Sequence, residues 1–217
     1  VLRPHDDVAT GNFRSSEFAA DLHKVAVDPA LAPDYAEPSA FFARTYLTEG
    51  LRDLIGSAVR RLTGDANSAP VINLQTNFGG GKTHSMLALW HVAAGESLDS
   101  FPQDVQLLLA ESGYQQSGAP VAARRAALVG NHIAPEGSIK EDGTKINTLW
   151  GELAWQLGGR PAYDLVADAD RSGTAPGQAL HTLLARYSPA VILIDEWVAY
   201  ARQLFDRDNL AGGTFDT

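Results

Sequence analysis

Residues 73–85 read NLQTNFGGGKTHS, and the three consecutive glycines at 79–81 constrain the fold more than any other stretch of the chain. Glycine loses more conformational freedom on folding than any other residue, so three in a row indicate a backbone that must approach another group closely. A strand-like run, Val71 to Gln75, precedes the glycines, and Thr83 to Ala94 has the apolar spacing of a helix that Gly95 ends. The sequence therefore predicts a strand, a glycine loop and a helix in that order.

This order of elements is typical of a phosphate-binding loop. The backbone N–H groups of residues 79–82 can surround an anion, and the positive end of the following helix adds to the attraction. Lys82 would place a positive charge near the β- and γ-phosphates, and Thr83 would offer its hydroxyl to Mg²⁺. The chain departs from the strict pattern GxxxxGK[ST], because Thr76 stands where the first glycine belongs. A glycine-rich turn with an incidental lysine is the structural alternative.

A second segment, AVILIDEW at 190–197, supplies carboxylates. Ala190 to Ile194 is the most apolar short run in the chain, and it predicts a strand buried on both faces, as in parallel sheets. Asp195 and Glu196 would then lie at the carboxyl end of this strand, where α/β sheets bind their ligands. Asp195 could hold Mg²⁺, and Glu196 could activate a water molecule. The alternative is that both acids only end a strand and that Asp195 caps the next helix.

The remaining pattern indicates an α/β domain. Residues up to 37 are polar and interrupted by prolines, Ala126 to Val129 is a second strand candidate, and residues 130–145 have the composition of a long polar loop. Further helices are predicted at 16–25, 51–62, 105–111, 146–157 and 180–187. Strands that alternate with helices imply a mainly parallel sheet flanked by helices. We therefore divide the chain into an N-terminal arm with a helical segment, residues 1–64, and a core, residues 65–217.

Composition excludes several classes of protein. The 217 residues include no cysteine, which excludes disulfide frameworks and thiolate metal sites and fits a reducing cytoplasm. The six histidines show no metal-ligand spacing such as HExxH. No apolar run approaches the ~20 residues that span a bilayer, so we expect a soluble cytoplasmic protein without membrane contact. The net charge of −9 excludes a nucleic-acid footprint over the whole surface but leaves a local basic groove open. The tight basic pairs are Arg60–Arg61 and Arg124–Arg125, and charge patterning favours a solvated helix edge or strand entry for each.

Two segments, NFGGGKT and VILIDE, resemble the Walker A and Walker B elements of AAA-type P-loop ATPases, in the division that carries a glutamate beside the Walker B aspartate. Five longer segments are similar to the large prokaryotic ATPases grouped as domain-of-unknown-function family 499: RPHDDVATGNF, TYLTEGL, LQTNFGGGKTHSMLALWH, LWGELAWQLGG and LIDEWVAYARQL. They are spread over nearly the whole chain, so the resemblance is specific. In that family a threonine at the position of Thr76 is usual, which reduces the importance of this departure from the general motif.

The resemblance implies a P-loop NTPase fold and Mg²⁺-dependent hydrolysis of ATP, a phosphoric anhydride, coupled to remodelling or assembly of partners. It also implies a prokaryotic antiviral defence setting, with DNA and proteins such as a DNA methyltransferase as partners, although no residue of the sequence itself indicates DNA or phage. The implied catalytic residues are Lys82 and Glu196, and the implied metal ligands are Thr83 and Asp195. The implied cofactor-binding residues are Asn77, Phe78, Gly79, Gly80, Gly81, Lys82, Thr83 and His84.

Two other functions stay open at this stage. A nucleotide-gated scaffold would bind ATP through Lys82 and Thr83 but hardly hydrolyse it, and turnover that is lost on changing Glu196 would separate it from an ATPase. A small-molecule or nucleotide kinase would transfer the phosphoryl group to a hydroxyl. The adjacent acids Asp195 and Glu196 argue against a kinase, because a water-activating base does not help where the acceptor is a hydroxyl.

Seven polar residues are weaker candidates, each with a structural alternative: Arg3, His5, Asp6, Asp7, Asn131, His132 and Arg202. The first four would contact adenine or ribose, or belong to a surface arm. Asn131 and His132, which follow the second strand candidate, would face the γ-phosphate or be ordinary loop residues. Arg202 would act as an arginine finger, or be a solvated arginine. The tryptophans at 90, 150 and 155 are interpreted as core or interface anchors.

The resemblance also predicts that part of the core lies elsewhere. In the P-loop division that the sequence resembles, a further strand lies between the Walker A and Walker B strands. About twenty residues follow Glu196, and they have the pattern of a helix and a glycine-rich loop. We therefore expect the inserted strand, its polar sensor residue and any helical lid to lie outside the 217 residues. The expected partner is this missing C-terminal part of the same ATPase core, as a separate fragment, a continuation or a partner chain, because an unfilled slot leaves backbone groups unpaired.

Overall fold

The computed structural model describes residues 20–75, 81–115 and 118–205. Its helices, in chain order, are α1 (Leu22–Val27), α2 (Pro33–Ala36), α3 (Pro38–Ala43), α4 (Glu49–Leu62), α5 (Lys82–Val92), α6 (Gln103–Glu111), α7 (Leu149–Tyr163), α8 (Ala167–Ser172), α9 (Gln178–Arg186) and α10 (Trp197–Phe205). Short 3₁₀ turns occupy Pro29–Leu31 and Leu98–Ser100. The strands are β1 (Arg124–Val129), β2 (Ser138–Ile139), β3 (Lys145–Ile146) and β4 (Ala190–Asp195). None of the described helices is long and apolar enough to cross a bilayer.

A small parallel sheet lies at the centre of the fold. Strand β1 pairs with β4 in parallel, from Arg124 opposite Ala190 to Val129 opposite Asp195. Because the two strands run in the same direction and end in register, their carboxyl ends meet at one edge of the sheet. In the described part of the chain, β2 and β3 form a separate antiparallel pair, and the second edge of β4 has no neighbouring strand.

Helices cover both faces of this sheet. One apolar cluster joins Ala127 and Val129 of β1 to α1 and to α3–α6. A second cluster joins Ala126 and Leu128 of the same strand to α7 and α9. Successive side chains of a strand point to opposite faces, so this alternation places β1 between two layers of helices. The fold is therefore mixed α/β, with a small parallel sheet flanked by helices and a helical N-terminal region, as predicted.

The N-terminal region contains more helix than the sequence analysis predicts. Pro33 and Pro38 are the first residues of α2 and α3, a position where the missing N–H of proline would have no helical partner. These prolines therefore begin short helices, and Pro33 does so within the segment that is predicted to be interrupted by prolines. Residues from both sides of the predicted boundary at 64 and 65 contribute to the first apolar cluster.

Three predictions about local structure need correction. Val71 to Gln75 forms no strand, because strands are held by hydrogen bonds to a neighbour and none of the described strands pairs with this segment. Residues 130–145 are not all loop, since they contain β2 and β3, each too short to produce an alternating pattern. Strand β4 is covered incompletely, with Ile194 46% exposed. The predicted helix end at Gly158 and Gly159 is confirmed as an interruption, after which α7 continues to Tyr163.

A fully buried carboxylate fixes the start of α7 against α8. Asp170 accepts hydrogen bonds from the backbone N–H of Thr148 at 2.8 Å, from Thr148 Oγ1 at 2.5 Å and from the Tyr163 hydroxyl at 2.9 Å. The backbone N–H of Asn147 adds another at 3.1 Å. A buried charge needs such partners, so Asp170 holds structure in place and is not a candidate for the functional site.

His91 of α5 is a buried histidine that couples stability to pH. Its side chain is 2% exposed, and Nε2 donates to the backbone carbonyl oxygen of Tyr35 at 2.8 Å. Burial, with a smaller effect of the Arg125 charge, lowers the pKa of His91 from 6.5 to about 4. The folded protein therefore keeps this ring neutral where the unfolded chain would protonate it.

We predict that acidification destabilises the protein through His91. Between pH 7 and pH 5 the unfolded state binds the proton first, so the free energy of unfolding should fall by about 2 kcal/mol from this residue. His91→Gln keeps a donor for Tyr35 but does not titrate, so its free energy of unfolding should depend less steeply on pH. Urea titrations of both proteins at pH 5 and pH 7 test this. Equal pH dependence in the two proteins would contradict the prediction.

Candidate functional site

The carboxyl end of β4 contacts the first turn of α5. Thr83, the second residue of α5, donates a hydrogen bond from Oγ1 to Asp195 Oδ2 at 2.8 Å. Asp195 is the last residue of β4 and is 8% exposed. Its other carboxylate oxygen accepts the backbone N–H of Glu196 at 3.0 Å. The two segments that the sequence analysis selected, 112 residues apart, thus meet at one carboxylate.

The residues before α5 favour an anion at its N-terminus. Gly81 has a left-handed conformation, with φ 76° and ψ 18°, which glycine adopts without steric cost. It provides no side-chain cap for the N–H groups of the first turn, which begins at Lys82. These N–H groups and the helix dipole attract negative charge. The other residues predicted for the phosphate loop lie outside the described residues: Asn77, Phe78, Gly79 and Gly80.

His84, which was also predicted to bind the cofactor, contacts the N-terminal region. Its ring packs on Phe41, with 4.5 Å between centroids, and Nε2 lies 2.9 Å from Thr45 Oγ1. The Thr45 hydroxyl donates its own proton to the Phe41 carbonyl oxygen at 2.7 Å, so it accepts from His84 Nε2–H. Burial lowers the pKa of His84, which keeps the ring neutral. The side chain fixes the 44–48 loop to the start of α5, and a role in nucleotide binding stays a prediction.

Glu196 combines an exposed side chain with an unusual backbone. Its φ of 51° lies in the left-handed region, which costs a non-glycine residue about 1–3 kcal/mol. The carboxylate of Asp195 holds its N–H, and its carbonyl oxygen accepts the N–H of Ala199 at 2.9 Å in the first turn of α10. A buried, hydrogen-bonded carboxylate and an exposed one therefore stand at consecutive positions. The first suits a metal ligand and the second suits a proton acceptor.

Gly130, directly after β1, is a residue of this site that the sequence analysis missed. It is buried, and its N–H donates to the carbonyl oxygen of Asp195 at 2.9 Å. This bond extends the pairing of β1 and β4 to the point where Glu196 begins. The sequence feature that could identify Gly130 is its position directly after the strand candidate Ala126 to Val129.

A groove runs from the site along the unpaired edge of β4. Its volume is about 420 Å³. One wall is the edge of β4, the other is the segment 69–74, and α4 contributes Leu54 and Ala58. Lys82, Asp195 and Glu196 line the same groove. The candidate site and the open edge of the sheet are therefore continuous.

Of the weaker candidates, the structure describes Asn131, His132 and Arg202, and the roles predicted for them stay predictions. His132 stacks on His23 of α1, with 4.1 Å between the ring centroids and 5° between the planes. Asn131 and Arg202 are exposed. Residues 3–7 lie outside the described part of the chain. Trp90 is a core residue, as predicted, and the Arg125 guanidinium stacks 4.3 Å from its ring centroid.

The oxygen atoms of Thr83 and Asp195 fit the requirements of a magnesium ion. Mg²⁺ prefers oxygen ligands and is usually held by one or two side chains together with phosphates and water molecules. Within residues 20–75, 81–115 and 118–205, no three histidine or acidic side chains are grouped so that they could hold a metal. A metal held by Thr83 and Asp195 would need further oxygen ligands, such as water molecules or phosphate oxygens.

The fold and the site define a mixed α/β protein with a hydroxyl and a carboxylate paired at the edge of its parallel sheet. The family model of the DUF499 N-terminal domain matches residues 2–210. The chain therefore belongs to this family, which confirms the family resemblance of the sequence segments. Comparisons with curated proteins and with solved structures give no match.

We predict that Thr83→Val destabilises the ligand-free protein. The change leaves Asp195 Oδ2 without its donor inside a nearly buried site, which should lower the free energy of unfolding by about 1–3 kcal/mol. Thr83→Ser keeps the hydroxyl and is the matched control, with a much smaller loss expected. Urea unfolding of the three proteins without nucleotide or metal measures the difference. Equal loss in the valine and serine variants would show that the hydrogen bond contributes nothing.

Proposed function

We propose that the chain is the nucleotide-binding part of a Mg²⁺-dependent AAA-type P-loop ATPase. The observation that carries this proposal is the hydrogen bond between Thr83 and Asp195. In P-loop proteins the threonine after the loop lysine and an aspartate at a strand end hold Mg²⁺ beside the phosphates. Here these residue types are in contact, and Lys82, which follows the three glycines at 79–81, directly precedes the threonine.

The position of each residue suits a distinct role in binding. Lys82 would contact the β- and γ-phosphates, and the N–H groups of residues 79–83 would surround them. Thr83 and Asp195 would exchange their mutual hydrogen bond for contacts to Mg²⁺. Bound Mg²⁺ would offset the negative charge of the phosphates. Because Asp195 is already buried and held by the Glu196 N–H, it needs little rearrangement to act as a ligand.

Glu196 is the candidate general base for hydrolysis. Its carboxylate would accept a proton from a water molecule whose oxygen forms a bond to the γ-phosphorus. The bond from that phosphorus to the β,γ-bridging oxygen breaks, and ADP and inorganic phosphate leave. The side chain is exposed, so water is its natural neighbour. This exposure supports the ATPase over the kinase alternative.

We predict that Lys82→Ala loses ATP binding and that Glu196→Gln loses ATP hydrolysis when the two variants are measured side by side. Lys82→Ala removes the charge that opposes the phosphates and should abolish detectable ATP binding in calorimetry. Glu196→Gln should bind ATP like the wild type but release phosphate roughly 10²–10⁴-fold more slowly. ATP at a hundredfold excess over its dissociation constant should stabilise Glu196→Gln by about 2.7 kcal/mol and leave Lys82→Ala unchanged.

The controls are Lys145→Ala and Glu141→Gln, which make the same chemical changes at exposed positions of the β2–β3 region. Both should bind and hydrolyse ATP like the wild type. Unchanged ATP affinity in Lys82→Ala would contradict the phosphate-loop assignment. Full turnover in Glu196→Gln would show that the base lies elsewhere. ATP binding without any turnover in the wild type would favour the nucleotide-gated scaffold.

We also propose that the groove beside β4 binds an extended strand of the C-terminal part of the same ATPase core. The edge of β4 presents alternating backbone donors and acceptors, and an extended strand satisfies such a row. The exposed apolar residues along the groove support an apolar strand: Ile72, Ile194, Trp197 and Val198 are 42%, 46%, 60% and 45% exposed. A strand in this position would also give the segment 71–75 the neighbour that it needs to pair.

We predict that this open edge causes self-association of the isolated chain. Ile194→Lys introduces a charge at the edge and should reduce association in sedimentation velocity without lowering the unfolding midpoint. Leu107→Lys, at a residue of α6 that is 58% exposed, is the matched control and should not reduce it. A monomeric wild-type chain with cooperative unfolding and robust ATPase activity would refute the need for a completing strand.

We propose, from the family resemblance alone, that hydrolysis drives remodelling or assembly in a cytoplasmic, DNA-related antiviral defence system with partners such as a DNA methyltransferase. The basic pair at 124–125 gives this proposal no direct support. Arg124 stacks on the ring of Tyr187 at 5.0 Å, and Arg125 stacks on Trp90.

A further inference from the structure

We infer that Gly130 is a positioning residue for Glu196, because it lets the end of β1 contact the peptide that sets the direction of the Glu196 side chain. The inference rests on the proposed function of Glu196 as general base and adds a requirement to it. A residue outside the phosphate loop and the acidic pair would then decide whether the base is correctly placed.

The geometry at Gly130 leaves no room for a side chain. A Cβ at this position would collide with the carbonyl oxygen of Glu196. It would also lie 2.8 Å from the Glu196 carbonyl carbon and 3.1 Å from the Trp197 Cα. These neighbours are backbone atoms, which cannot turn away as a flexible side chain can. Even alanine at this position must therefore move the peptide between Glu196 and Trp197, or separate the ends of β1 and β4.

The peptide that Gly130 contacts is the one with the unusual conformation. Glu196 has φ 51°, and such strained residues persist only where surrounding structure holds them. Its N–H is held by the Asp195 carboxylate and its carbonyl oxygen by the Ala199 N–H. Close packing of Gly130 against the same carbonyl group is the third restraint. When a Cβ at position 130 displaces this carbonyl group, Glu196 can relax towards negative φ, which would redirect its side chain.

Other close-packed glycines of the described chain do not contact this site. An added Cβ would meet Ala122 at Gly95, Ile146 and Asn147 at Gly137, and Tyr187 at Gly158. At Gly50, in the first turn of α4, an added Cβ would meet nothing within 4 Å. Gly50→Ala is therefore a matched control for the same chemical change without the contact.

The first experiment compares Gly130→Ala, Gly50→Ala and the wild type in ATP binding and in turnover. Gly130→Ala should bind Mg²⁺-ATP within about threefold of the wild type, since the phosphate-binding residues are untouched. Its kcat should fall about tenfold to a hundredfold, as expected for a catalytic group displaced by about 1 Å. Gly50→Ala should match the wild type in both. Wild-type kcat in a folded Gly130→Ala variant would overturn the inference.

A double-mutant cycle tests whether the loss acts through Glu196. In the Glu196→Gln background, Gly130→Ala should lower kcat less than twofold further, because the positioned base is already absent. An equal loss in both backgrounds would assign Gly130 a merely structural role and overturn the inference. A wild type without any turnover, even when the completing C-terminal part of the core is present, would instead contradict the proposed function itself.

A third measurement is independent of activity. The one-bond Cα–Hα coupling and the carbon chemical shifts of Glu196 in NMR report the sign of φ, which should be positive in the wild type and Gly50→Ala and negative in Gly130→Ala. If Gly130→Ala unfolds too readily for this, adding Glu196→Gly should raise its unfolding midpoint by more than the same change raises that of the wild type, since glycine tolerates the rotated peptide. No gain from Glu196→Gly, or a positive φ retained in Gly130→Ala, would overturn the inference.

Discussion

The hydrogen bond from Thr83 to Asp195 is the contact on which the rest of the site depends. It connects the first turn of α5 to the last residue of β4 through two side chains that are 112 residues apart in sequence. Because Asp195 is nearly buried, this carboxylate needs a donor, and the threonine hydroxyl provides one without introducing a charge. The helix N-terminus, the lysine that begins it and the exposed Glu196 are thereby brought to the same end of the sheet.

The parallel pairing of β1 and β4 determines which residues lie beside the hydrogen bond between Thr83 and Asp195. In a parallel pair the carboxyl ends meet, so the turn after β1 lies beside the turn after β4 and Gly130 reaches Glu196. The other edge of β4 faces the groove, where apolar side chains are exposed and where the described residues provide no neighbouring strand. The end of the sheet proposed to bind phosphate and the surface proposed for a completing strand therefore share β4.

Much of this arrangement could be predicted from sequence because it depends on local signals. Apolar spacing predicted α4, α6 and α9, and the paired glycines at 158 and 159 predicted the interruption of α7. Local signals predict a strand at 71–75 but do not decide whether it forms, because a strand needs a neighbouring strand to pair with. The described chain provides none for this segment. The partners of His84 and the role of Gly130 were also beyond reach, because they arise only when distant segments pack together. Glycine in particular carries no side-chain signal that would distinguish a close contact from a turn.

A crystal structure with Mg²⁺ and a non-hydrolysable ATP analogue tests the central claim most directly. The account predicts phosphates enclosed by the backbone N–H groups of residues 79–83, and a metal at about 2.0–2.1 Å from Thr83 Oγ1. Asp195 should lie in contact with the metal or with its water ligands, in place of the hydrogen bond to Thr83. A nucleotide bound elsewhere, or a Thr83–Asp195 hydrogen bond that is unchanged in the presence of bound nucleotide and Mg²⁺, would contradict the account.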